Sequence, residues 1–315
     1  MSELFADLVG HDQARTLLLA ALHRQRIAPA YLFAGPDGVG RRLAALRFLE
    51  GVLAGPSGDP GLRRRLQEGN HPDLLWVEPT YLEKGQLVPL SQAEAAGVSR
   101  RAPPQLRLDQ IRDVSRFLAR RPVEAPGCLV VLDGAEAMAE AAANALLKTL
   151  EEPGDGLLIL IATAPDQLLS TIRSRCQMIP FARLNPEQLQ RVLGEQALQD
   201  SPALVQLAAG SPGALLEHRR QWQALPEGLA ERLLGLGERP GDPLEALDLA
   251  RELADSLDGD QQQWLLRWWQ QSLWNRNQNP HQHRRLDRLR SHLRAYVQPR
   301  LAWEVTLLEL AGCSR

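Results

Sequence analysis

The stretch YLFAGPDGVGRRLAALRF, residues 31–48, passes from a short apolar segment through a glycine-rich loop into an apolar helical pattern. Gly35 and Gly40 bracket the loop, with Gly38 between them. The first N–H groups of a helix have no partner inside it, and the helix dipole favours an anion there. A glycine loop between strand and helix can therefore surround a phosphate. The nucleotide-binding pattern calls for Lys, then Ser or Thr, after the second glycine. Arg41 and Arg42 stand there instead. Arg41 keeps a positive charge but on a bulky planar fork, and Arg42 has donors only, repels a cation and cannot ligate Mg²⁺. Gly35, Gly38, Gly40, Arg41 and Arg42 thus form a degenerate nucleotide site. Weak ATP or ADP binding is the most they predict, and no cofactor is required.

Outward from this loop, the runs AYLFAG (30–35), DLLWVEP (73–79), CLVVLD (128–133), LLILIAT (157–163) and QMIPF (177–181) read as strands. Near-continuous apolar runs of this length suit a parallel sheet covered on both faces. Helical patterns lie between them at 12–25, 41–54, 108–120 and 139–152, the last stopped by Pro153. Strand and helix in alternation predict a doubly wound α/β domain over residues 1–183. The β signals then cease. Asn185-Pro186-Glu187-Gln188 has Asn to cap, Pro for the first turn and Gln to reach back, and Ser211-Pro212-Gly213 opens another helix. A small helical domain is expected at 184–218 and an all-α C-terminal domain at 219–315. AGPSGDPG (54–61) reads as a turn-rich linker and 83–104 as an irregular insertion.

Asp133 closes a buried strand, the place of an outer metal ligand in nucleoside triphosphatases. Gly134 follows it where an efficient enzyme has Glu, and Glu136 is two positions further on. With Gly beside it, capping of the next helix is the favoured role for Asp133. In WLLRWWQQSLW (264–274) the aromatic residues read as a buried helix rather than a platform for bases. Leu286, Leu289, Leu293 and Val297 share one helical face with arginines around it. His281 and His283 lack a third ligand and read as part of a solvated loop.

The net charge of −2 over 315 residues argues against a globally basic nucleic-acid binder. Cys128, Cys176 and Cys313 lie far apart, which excludes a CxxC-type metal site and disfavours a disulfide framework. No run approaches the roughly 20 apolar residues of a membrane helix, and the N-terminal MSELFADLVGHDQA has no signal-peptide layout. A soluble cytoplasmic protein without membrane partners is expected.

Three further pieces carry a family resemblance: AAANALLKTLEEP (141–153), the strand ending Ala162-Thr163, and Ser174-Arg175-Cys176. Together with LVGHDQA (8–14), GNHPD (69–73), LDQIRDVSRFLARRP (108–122), LDGAEAM (132–138) and VQPRLAWEVTLLEL (297–310), they make the chain resemble the clamp-loader family of AAA+ proteins of bacterial DNA polymerase III. The resemblance implies an AAA+ P-loop-type sheet, a helical lid at 184–218 and a collar at 219–315. It implies that Arg175 projects into the ATP site of the next subunit as a finger in trans. On composition alone, Arg175 would be a solvated helix end. Thr163 would hold the sensor position near the nucleotide, or simply terminate its strand. The implied partners are the ATPase (gamma/tau) and delta subunits and, through the complex, the sliding clamp and primed DNA. Many relatives carry a four-cysteine zinc module before the His-Pro-Asp stretch. This chain has none there, so zinc is not expected. After Gly210-Ser211-Pro212-Gly213 the family's active subunits place a nucleotide-sensing Arg, and here Ala214 follows. The expected role is a non-hydrolysing structural subunit, and the alternative is an ATP-hydrolysing motor subunit of the same complex. Nothing resembles a polymerase active site.

Overall fold

A computed structural model describes residues 3–98, 102–152, 154–194, 200–238, 242–295 and 297–312. Pro153 and Cys313 lie outside the described residues. The chain divides into two compact units, residues 1–192 and 193–315.

The first unit is built on a parallel sheet of β1 (Ala30–Ala34), β2 (Leu74–Val77), β5 (Leu129–Asp133), β6 (Leu157–Ala162) and β7 (Gln177–Pro180), in the order β2-β5-β6-β1-β7. Alternate residues of β1 enter two different cores, as the period of two in a strand requires. Tyr31 and Phe33 join Phe48, Phe181, Leu18 and Leu49 on one face. The helices there are α1 (Asp12–His23) and α2 (Arg41–Ala54). Ala30, Leu32 and Ala34 join Val130, Leu132, Ile111 and Leu146 on the other, under α4 (Leu108–Leu118) and α5 (Glu140–Glu151). Every residue of β1 and β6 is buried, because neither face of the sheet meets water. The parallel α/β class is as the apolar runs predict.

Two segments differ from expectation. The linker ends in a helix, α3 (Pro60–Gln67), whose start is set by Asp59: its Oδ1 accepts from Leu62 N at 2.6 Å, with Pro60 in the first turn. The irregular insertion holds an antiparallel hairpin, β3 (Thr80–Glu83) and β4 (Gln86–Pro89), with Leu82 opposite Leu87. Its two turn residues, Lys84 and Gly85, have φ of 48° and 83°. Positive φ at both positions marks the turn whose twist matches paired strands. The short helix α6 (Ser170–Arg173) precedes β7, and α7 (Pro186–Leu193) opens with the expected reciprocal cap. There Gln188 N donates to Asn185 Oδ1 at 2.8 Å and Asn185 N to Gln188 Oε1 at 3.0 Å.

The second unit is helical: α8 (Pro202–Ala208), α9 (Pro212–Gln223), α10 (Leu229–Glu238), α11 (Pro243–Ser256), α12 (Gly259–Asn277), α13 (Pro280–Arg294) and α14 (Pro299–Leu310). Trp264, Trp268, Trp269 and Leu273 of α12 are buried, as a packed helix requires, and Trp269 stacks obliquely with Trp303, ring centroids 6.4 Å apart. Trp264 Nε1 donates to His218 Nδ1 at 3.0 Å, and Trp303 Nε1 donates to Gln262 Oε1 at 2.9 Å, so those buried indoles keep their hydrogen bonds. His281 and His283 sit in the first turn of α13 rather than in a loop, because Asn279 caps that helix and Pro280 fits its first position. Leu286 and Leu289 face the core, but Val297 lies past the helix end and is 37% exposed. Arginines of α13 pair within the unit, Arg285 with Glu309 and Arg290 with Asp287. Among the described residues no helix is long and apolar enough to cross a membrane.

Candidate functional site

The glycine loop leaves the carboxyl end of β1, where ligands bind in open α/β sheets. Gly35 is required by contact: a Cβ there would lie 2.2 Å from Phe181 O, since the loop passes against the end of β7. Gly38 and Gly40 have φ of 70° and 108°, values an L side chain rarely adopts. His11 supports the loop from within. Its Nε2–H donates to Val39 O at 2.7 Å, and burial keeps its pKa below the usual histidine value.

Arg41, Arg42, Asp133 and Thr163 line one cleft of about 650 Å³, together with Asp37, Glu78 and Glu136. Arg41 is only 5% exposed and donates through Nη2 to Asp37 Oδ1 at 3.1 Å and Thr163 Oγ1 at 3.3 Å. Arg42 Nε lies 2.5 Å from Asp133 Oδ2, with Glu78 Oε2 at 3.8 Å from its Nη2. Its guanidinium carbon stands 5.3 Å from the centroid of the Trp76 ring, within cation–π range. Burial raises the Asp133 pKa, Arg42 and Arg41 oppose it, and the net direction is upward. Glu136 Oε1 accepts from Thr163 N at 2.9 Å.

Asp133 does not cap the following turn. That turn, Ala135–Ala137, begins at Gly134 with no side-chain cap, and the nearby guanidinium holds the carboxylate instead. The arrangement does not fit a nucleotide-bound Mg²⁺: the oxygen ligand expected at position 42 is a cation, and it occupies the carboxylate that would face the metal. The loop's own Asp37 likewise engages the Arg41 fork that would meet a phosphate. The cleft carries its own counter-charges.

No sequence motif marks Asp37, Glu78 or Trp76 as site residues, whereas Glu136 is the nearest acid after Asp133. Glu78 ends the apolar run 73–79 as Asp133 ends the run 128–133, and the pairing of β2 with β5, Val77 opposite Leu132, brings the two ends together. Arg175 does not line this cleft. It follows α6, is 35% exposed, and donates through Nη1 to Thr171 O at 3.0 Å and through Nη2 to Glu151 Oε1 at 2.8 Å. Its neighbour Arg173 pairs with Asp166 at 2.6 Å. Burial pushes the Cys176 thiol up to about 11, so this cysteine is no nucleophile near neutrality.

A five-stranded parallel sheet in the order β2-β5-β6-β1-β7, with a glycine loop after β1, an acidic end to β5 and only helices after β7 among the described residues, is an AAA+ fold of the clamp-loader type. A crystal structure of a DNA polymerase III gamma subunit-related protein from Thermotoga maritima shares it, with a TM-score of 0.56 at 19% identity, over 96% of this chain and 100% of that one. The family model described as DNA polymerase III, delta subunit, matches residues 10–185, more than half of the chain. The model described as cyanobacterial DNA polymerase III delta prime, C-terminal domain, matches residues 187–310. The chain belongs to the DNA polymerase III delta-prime family. It is 34% identical to DNA polymerase III subunit delta' of Pseudomonas aeruginosa over 72% of its length, and 31% identical to the Bacillus subtilis protein of that name over 64%. These matches span 66% and 56% of the two relatives' own lengths, under two thirds of each.

Proposed function

We propose that this chain is a non-hydrolysing subunit of a bacterial clamp loader that lends Arg175 to a neighbour's ATP. On this reading residues 1–183 are the nucleotide-binding-like domain, 184–218 a lid and 219–315 a collar for assembly. The partners are gamma/tau ATPase and delta subunits and, through the complex, the sliding clamp and primed DNA, in the cytoplasm. The observation that carries the reading is the Arg42–Asp133 pair at 2.5 Å, which sets a cation where an ATPase needs a metal and its ligand. Three further features agree with it. Gly134 supplies no carboxylate beside Asp133, Glu136 already accepts from Thr163 N, and Ala214 carries no charge after Ser211-Pro212-Gly213. Membership of the family supports the finger, since a fork beyond the chain's own cleft is available to another subunit's triphosphate.

The alternative, an ATP-hydrolysing motor subunit, requires Mg²⁺ in a cleft whose residues do not fit it. The deciding experiment compares the assembled complex carrying Arg175→Ala with the wild-type complex. Turnover at the neighbouring site should fall on the order of 10³-fold, the scale of an arginine finger, with assembly unchanged. Unaltered turnover refutes the finger, and Mg²⁺-dependent hydrolysis by the purified chain refutes the non-hydrolysing role.

A further inference from the structure

Arg175 is held by one carboxylate, Glu151, on a different element from its own. Glu151 is the last residue of α5, and its Oε1 accepts from Arg175 Nη2 at 2.8 Å while Thr171 O accepts from Nη1 at 3.0 Å. One contact comes from α6, close in the chain, and the other reaches across 24 residues, so the two together fix both the reach and the plane of the fork. An unrestrained arginine has four rotatable bonds, and ordering such a side chain on binding lowers affinity or rate. The pair is a surface one, with Glu151 53% exposed, and it engages the fork through a single contact, Oε1 to Nη2, so it orients the guanidinium without enclosing it.

We infer that Glu151 is a positioning residue for the finger: it pre-orders the Arg175 guanidinium in the orientation from which it meets the neighbour's phosphate. This rests on Arg175 acting in trans. Glu151 never touches the triphosphate, so its effect runs wholly through Arg175.

The test is ATP turnover by the reconstituted complex with Glu151→Gln, Arg175→Ala or both in this chain. Glu151→Gln keeps size and shape and removes the charge. Turnover at the neighbouring site should drop about two- to tenfold, the factor expected when one long side chain loses its pre-ordering. The loss should fall on kcat with KM for ATP, assembly and melting temperature unchanged, which a structural role for Glu151 does not produce. In the Arg175→Ala background the same substitution should change nothing further. If Arg175→Ala impairs turnover but Glu151→Gln leaves it unchanged, or raises it, the positioning role is overturned and the finger stands. An equal loss from Glu151→Gln with and without Arg175 also overturns it. If Arg175→Ala itself has no effect, the finger reading falls and the positioning role falls with it.

Discussion

Asp73 of the His-Pro-Asp stretch has no exposed surface, and its carboxylate accepts from Val123 N at 2.8 Å, Glu124 N at 2.7 Å and Ala125 N at 2.9 Å. Burial opposes ionisation there, but the amides of Ala125, Glu124 and Val123 outweigh it, and the pKa lies below the usual 3.8. The stretch was legible as a family feature, but its work was not, because the three donors lie some fifty residues along the chain. Asp73→Asn turns an oxygen acceptor into a donor facing N–H groups and should cost about 2–3 kcal/mol at pH 7. A group with a depressed folded pKa contributes fully above its unfolded value and loses that contribution as pH falls through the folded one. The stability gap between wild type and Asp73→Asn, measured by urea denaturation, should therefore hold from pH 7 to about 5 and narrow below 3.8. The same distinction applies to Arg42. Its residue type excluded a metal ligand from the outset, whereas its grip on Asp133 depends on two elements that only the sheet brings together.

The hairpin β3–β4 shows where composition misleads and pattern would not. Residues 83–104 are rich in Gly, Ala, Ser and Pro, which suggested irregular structure. TYLEKGQLVP, however, places Leu82 against Leu87 about a two-residue turn, and the strands start three residues before the segment that composition marks out. Gly85 carries the turn through its φ of 83°, and a Cβ there would meet nothing within 4 Å. Gly85→Ala should consequently act through backbone conformation alone, costing about 1 kcal/mol. Amide exchange in residues 81–88 should speed up about fivefold, with global melting unmoved. Helix starts were read more faithfully. Asn185 and Ser211 act as caps as their sequences suggest, since a cap needs only a donor two or three residues away.

For the whole chain, a cleft that supplies its own counter-charges should gain little from nucleotide. Millimolar Mg²⁺-ATP ought to leave the thermal midpoint of the isolated protein within about 1 °C of its value without ligand, because stabilisation grows with ligand concentration over Kd. A rise of several degrees in differential scanning calorimetry would contradict the self-paired cleft. The chain's order of residues by itself determined the parallel α/β class, the glycine loop, the helical second half and the absence of a Lys-Ser/Thr pair, because each depends on neighbours a few positions apart. Tertiary structure alone decided that Arg42 meets Asp133, that Arg41 meets Thr163, and that Glu151 meets Arg175. Those contacts join residues 91, 122 and 24 positions apart. Charges so distant in sequence interact only once strand order and register have set them within a few ångströms of one another.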